Sequence, residues 1–181
     1  MPPGFRCTSC GASVQAVPAV PQCPACGGAL DCLEAAPAAF PRALICSRPP
    51  TMWRYREAVP IAGQPVSLGE TMTPLQPVGI AGAGRVLAKC EFQLPTGSYK
   101  DRGSAVLVSY LVARGTAAAV EDSSGNAGAS LAAYAARAGM RLTVFCPDSA
   151  PAAKLAQVQC HGARPPRRFA RMCLATTSST P

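Results

Sequence analysis

The chain has 181 residues, 49% of them hydrophobic and 14% charged, and a formal net charge of +8; this length buries a real core, and the composition is globular rather than disordered. Residues 1–163 carry 13 basic and 9 acidic side chains, a balance of +4, while 164–181 add Arg164, Arg167, Arg168 and Arg171 with no acid, so the body is only mildly basic and does not itself point to nucleic acid. No apolar run approaches the roughly 18 residues of a membrane span and MPPGFRC is no signal peptide, so the expectation is a cytoplasmic protein whose ten cysteines are metal ligands and buried thiols rather than disulfides.

Residues 1–32 form a distinct unit. Cys7-x-x-Cys10 and Cys23-x-x-Cys26 are separated by twelve residues, and Gly11 and Gly27 directly follow the two pairs. Each pair is a knuckle that converges two thiolates on one ion, and four thiolates leave no open position, so the site reads as structural zinc. Binding on the order of 10 kcal/mol would hold together a ribbon too small for a core of its own. Cys32, Cys46, Cys90, Cys146 and Cys160 read as small buried residues, and Cys173 lies in a segment of another character.

Residues 33–84 read as a linker, to about residue 50, and an irregular, proline-containing lead-in. From 85 the pattern becomes regular: RVLAKCEFQL as a strand, a PTG turn, then a helix from near Ser98 to about Arg114 with Gly115 as its stop. Ser98 and Asp101 have the spacing of a capping box. TAAAVE (116–121) is a strand, SSGN a loop, AGASLAAYAARA a helix ended by Gly139, RLTVFC (141–146) a strand, and AAKLAQVQC a helix between Pro151 and Gly162. Alternation at this spacing predicts an α/β layer over 85–163 with a largely parallel sheet and flanking helices. Residues 164–181 keep no usable period and read as an unstructured basic tail.

Two stretches carry chemistry. In PTGSYKDRG, Lys100 is one of only three lysines and sits at a helix opening, where partial positive charge and neighbouring Arg102 both disfavour an ammonium; such an amine is available for a Schiff base. Thr96, Gly97 and Ser98 would let an aromatic cofactor approach the backbone. A surface Lys–Asp pair explains the same spacing, and the glycines do not form a Walker A loop. In EDSSGNAG, Ser123, Ser124, Gly125 and Asn126 fall where a strand ends and a helix begins, the place at which open parallel sheets bind carboxylates or phosphates. Asn126 as a simple N-cap leaves the serines and glycines around it unexplained.

SLGETMTPL, PTGSYKDRG and EDSSGNAGASLAAYAARAGM, in this order, resemble the threonine synthase family of pyridoxal-phosphate enzymes of fold type II, related to the tryptophan synthase β chain, over residues 5–163. The double Cys-x-x-Cys unit followed by WRYRE is similar to the longer bacterial and archaeal members. The resemblance implies a partial fold type II domain behind a zinc ribbon. It makes Lys100 the cofactor-binding and catalytic lysine, Asn126 the partner of the cofactor's 3-hydroxyl, and Ser123, Ser124 and Gly125 the loop for the substrate carboxylate. The implied reaction converts O-phospho-L-homoserine and water to L-threonine and phosphate, with pyridoxal 5'-phosphate as cofactor, zinc as a structural ion and a small amino acid as the partner. Homo-oligomer formation stays open for a full-length chain. Thr71 and Leu94 depart from the family's usual Gly and Asn, and the family's later half, with its phosphate loop, has no counterpart here. The expectation is a C-terminally truncated fragment, cut or shifted in frame near residue 163.

Two alternatives stand beside it. Threonine or serine dehydratases and cysteine synthases share the lysine and Ser-Gly-Asn logic, although the ribbon, WRYRE and SLGE favour threonine synthase. A non-catalytic zinc-ribbon binding module would use the arginine tail to hold nucleic acid or an acidic partner, but the ribbon has few basic residues of its own.

Overall fold

The computed structural model describes residues 4–15, 20, 22–33, 40–59, 61, 63–82 and 84–163. The tail at 164–181 and Cys173 lie outside the described residues. The chain divides into two compact units, Met1–Ala62 and Gly63–Pro181.

In the first unit, β1 (Gly4–Cys7) pairs antiparallel with both β2 (Ser13–Val14) and β3 (Leu30–Leu33), placing Phe5 opposite Val14 and Cys32. So small a sheet buries few apolar side chains among the described residues, and the cysteines take the place of a core: Cys7 and Cys23 are buried there. Helix α1 (Arg42–Ser47) follows, within the stretch read as linker, and then the 3-10 turns of Met52–Ala58 that contain the WRYRE motif. Arg54 donates to the α1 carbonyls of Ile45 and Cys46, and Arg48 forms a bidentate pair with Glu57. The pairing satisfies the carbonyls that a helix C-terminus leaves without partners.

The second unit opens with a hairpin that the sequence pattern does not show. Strand β4 (Leu75–Val78) pairs antiparallel with β5 (Val86–Lys89). The expected strand over 85–94 therefore ends early, in a 3-10 turn at Glu91–Gln93. Glu91 is drawn to Thr73 and Arg102 there, which turns the chain.

Beyond it the α/β expectation holds. Helix α2 (Lys100–Val112) leads to β6 (Ala118–Asp122), α3 (Asn126–Arg137), β7 (Arg141–Phe145) and α4 (Ala152–Cys160), and β6 pairs parallel with β7 from Ala118↔Arg141 to Asp122↔Phe145. Helix α3 is the centre of this core. Every residue from Gly128 to Ala135 is buried, and the alanines let α2, α4 and β7 approach closely. Gly128 marks the tightest point: a Cβ there would lie 2.9 Å from Val144 Cγ1 and 3.0 Å from Ser123 Cβ. Overpacking outweighs the helix-propensity gain, so Gly128→Ala should cost about 1–2 kcal/mol, read as a lower denaturant midpoint at unchanged slope.

Of the cysteines expected to be buried, Cys90 is, while Cys46 and Cys160 are exposed, each in the last turn of a short helix whose buried position is taken by Ile45 or Val158; Cys146 is intermediate, and the Cys32 side chain lies outside the described residues.

Candidate functional site

Two constellations stand out, one in each unit. In the ribbon, the Sγ atoms of Cys7, Cys10, Cys23 and Cys26 lie within 4.8 Å of one another, with Cys7–Cys26 at 3.5 Å and Cys10–Cys23 at 3.7 Å. Sulfurs at the corners of a zinc tetrahedron are separated by about 3.8 Å, given Zn–S bonds of about 2.3 Å, so the spacing fits that ion. Gly11 and Gly27 follow their knuckles at φ +73° and +71°, a conformation that a Cβ would strain. The N–H groups of Cys10 and Ser9 point at Cys7 Sγ and hold its thiol down at about 6. The Gly28 N–H also draws Cys26 down, but the Cys10 and Cys7 sulfurs outweigh it and push that thiol up to about 12. Thiols this close resist losing all their protons unless a cation sits among them.

In the second unit the site gathers at the carboxyl ends of β6 and β7. Lys100 is the first residue of α2, its Nζ lying 4.9 Å above the centre of the Tyr99 ring. Its charge reaches Glu121, near the end of β6: burial pushes the Glu121 carboxyl up, Asp122 adds to the rise, and Lys100 opposes it. Ser123 begins the next loop. Its N–H donates to the Phe145 carbonyl at 2.9 Å, and its hydroxyl accepts from the N–H groups of Gly125 (3.3 Å) and Gly128 (2.8 Å). Asn126 opens α3 and is exposed; Gly125 before it has no side chain to cap the helix, and Ser123 Oγ takes the Gly128 N–H instead. The side chains of Ser124 and Asn126 make no hydrogen bond among the described residues, and a Cβ on Gly125 would meet nothing within 4 Å.

The structure thus sets an amine, an amide and an open N-terminal turn around the ends of two parallel strands. These groups fit pyridoxal phosphate: an amine for its aldehyde, a neutral donor for its ring oxygen, and backbone N–H groups for an anion. A groove of about 700 Å³ lies elsewhere, along the start of β6 and β7 beside His161–Ala163, and contains none of these residues.

Two sequence readings change here. Arg102 is not the free cation expected beside Lys100, because its Nε and Nη2 donate to Glu91 at 2.7 and 2.8 Å and match its charge there. Asp101 does not close a capping box with Ser98; it is fully buried, and its carboxylate reaches back to Thr96 and across to Ser130 of α3. Thr96, one of the three residues expected to let a cofactor approach the backbone, donates its hydroxyl to Asp101. The sequence reading also passed over Glu70, whose carboxylate accepts from the Ser67 hydroxyl, the Leu68 N–H and the Tyr134 hydroxyl. The signal was present: Ser130 and Tyr134 are polar residues one turn apart on an otherwise alanine-rich helix.

The Arg102 hydrogen bond outweighs the upward push of burial and holds Glu91 down at about 2. A depressed carboxyl contributes stability that is complete above the ordinary carboxylate range and is lost as pH falls through the folded value. Glu91→Gln should therefore lower the melting temperature by the equivalent of about 1 kcal/mol near neutral pH, a figure discounted for partial exposure, with the gap to the parent protein closing between pH 5 and 2.

Fold and site together define an α/β protein of the fold type II pyridoxal-phosphate class. The chain belongs to the pyridoxal-phosphate dependent enzyme family, which matches residues 66–165. It is similar to the threonine synthase of Methanosarcina acetivorans, 32% identical over 169 residues, covering 88% of this chain and 41% of that protein. The threonine synthases of Methanocaldococcus jannaschii (34% identical; 88% and 42% covered) and Mycobacterium leprae (43%; 61% and 32%) are also similar. Among solved structures, maize serine racemase matches with a TM-score of 0.50 at 28% identity, over 56% of this chain and 32% of that one. The chain spans about two fifths of the length of the Methanosarcina and Methanocaldococcus threonine synthases it matches.

Proposed function

We propose that this polypeptide carries the lysine-bearing part of a threonine synthase, which converts O-phospho-L-homoserine and water to L-threonine and phosphate. One observation carries the reading: Lys100 opens α2 with its charge reaching Glu121 at the carboxyl end of β6, the strand that leads into the start of α3 at Asn126. The similarity to threonine synthases supports that reaction over its sisters.

Lys100 would hold the cofactor through its side-chain amine and would take and return protons at the substrate carbons. When bound, pyridoxal phosphate supplies an electron sink for those carbons. Asn126 would donate its side-chain amide to the cofactor's ring oxygen and so help to hold it. Ser123, Ser124 and Gly125 receive the amino-acid carboxylate beside the helix N-terminus. Zinc on Cys7, Cys10, Cys23 and Cys26 serves the ribbon and takes no part in the reaction. A cytoplasmic location belongs to the same proposal; among the described residues no helix is long and apolar enough to cross a membrane.

The test is to supply the purified chain with pyridoxal phosphate and O-phospho-L-homoserine. Equal yields of threonine and phosphate, lost in Lys100→Ala, support the proposal. Ammonia from L-serine or L-threonine without phosphate release would assign the chain to a dehydratase. No turnover of any of these substrates would mean that the segment lacks the activity.

A further inference from the structure

Asp101 follows Lys100 directly, yet its side chain points the other way, into the interior, and is fully buried. Oδ2 accepts the Thr96 N–H at 2.7 Å, and Oδ1 accepts the hydroxyls of Thr96 and, at 2.6 Å, Ser130. Ser130 also lies 2.8 Å from the Ser104 hydroxyl. A hydroxyl has one proton and the carboxylate is the stronger acceptor, so Ser130 donates to Asp101 and accepts from Ser104.

Three elements meet at this one carboxylate: the turn that precedes Lys100, the first turn of α2 that carries it, and α3, whose first residue is Asn126. Ser98 completes the turn, its hydroxyl accepting the Lys100 N–H at 3.2 Å. Glu70 offers an internal comparison. It is an equally buried carboxylate on the same face of α3, four residues along at Tyr134, but the donors it ties down are those of Ser67 and Leu68.

We infer that Asp101 is the positioning residue that sets Lys100 in register with the start of α3, holding amine and amide at a fixed separation. The inference deepens the reading of Lys100 as the cofactor lysine and rests on it for its meaning, but the register itself can be measured without cofactor. An anion is well placed for the task, since it accepts several donors at once beside a helix N-terminus that stabilises it.

Competitive acetylation of the cofactor-free protein, read by peptide mass, gives the rate at Lys100 relative to Lys154. With pyridoxal phosphate added, borohydride reduction gives the pyridoxyl adduct on Lys100, and circular dichroism of the bound cofactor reports how it is held. Asp101→Asn and Thr96→Val should each change the relative acetylation rate several-fold, cut the adduct about ten-fold at equal cofactor and flatten the dichroism, because small misplacements of a reacting group are costly. Thr96→Ser keeps the hydroxyl and should restore all three readings.

Glu70→Gln should lower the melting temperature but leave the three readings intact. Parent-like readings in Thr96→Val would overturn the inference, even if Asp101→Asn fails to fold; so would losses in Glu70→Gln equal to those in Asp101→Asn. An adduct that persists in Lys100→Ala, or that never forms on Lys100, would instead sink the cofactor reading, while the acetylation ratios would still decide the role of Asp101.

Discussion

Removing the metal from the four-cysteine centre should unfold the ribbon. A strong zinc chelator, or Cys23→Ser, is expected to abolish one equivalent of bound zinc and the hydrogen-exchange protection of residues 4–33, because binding worth on the order of 10 kcal/mol has no apolar core to replace it. Cys7 and Cys23 are buried with their sulfurs turned to the centre, so Cys23→Ser substitutes a poor ligand at an inner corner. Elemental analysis and exchange mass spectrometry read both effects. Protection that survives complete chelation would show that the ribbon holds itself together by its hydrogen bonds alone.

The second large effect belongs to Glu70. Burial alone would raise its carboxyl, but the Tyr134 hydroxyl, the Leu68 N–H and the Ser67 hydroxyl outweigh it and hold Glu70 below the usual range, so the anion is the folded form. Burial, aided by the Glu70 charge, raises the Tyr134 phenol, so Tyr134 remains the donor. Glu70→Ala would orphan a fully buried tyrosine hydroxyl and open a cavity beside it, costing about 3 kcal/mol. Tyr134→Phe leaves the carboxylate its Leu68 and Ser67 donors and should cost about half as much. Since the folded carboxyl is depressed, the parent protein's advantage over Glu70→Gln is full above the ordinary carboxylate range and shrinks as pH falls below it. Chemical denaturation at pH 7 and pH 4 checks magnitude and sign.

Much of the second unit was legible in the sequence because small residues wrote its period plainly. The run from Ala118 to Cys160 alternates apolar strands and alanine-rich helices between glycines, and each expected element there exists within a residue or two. The hairpin of β4 and β5 was not legible. Pro77 stands inside β4 and every β4 residue is exposed, so neither propensity nor alternation marks it as a strand.

The ligand cysteines could be read from spacing because a knuckle is local. The surroundings of Lys100 could not, since the partners that decide them are distant in the chain: Arg102 finds Glu91, and Asp101 finds Ser130. A capping-box spacing and a lone nearby arginine are short-range signals. Here a fully buried carboxylate, Asp101, and a half-buried one, Glu91, overrode both through partners distant in the chain.

The most direct test of the cofactor lysine is to reduce the purified chain with borohydride in the presence of pyridoxal phosphate and locate the modified peptide by mass. The account predicts one pyridoxyl group per chain, on Lys100, with Lys89 and Lys154 unmodified. A label spread evenly over the three lysines, or none on Lys100, would contradict it.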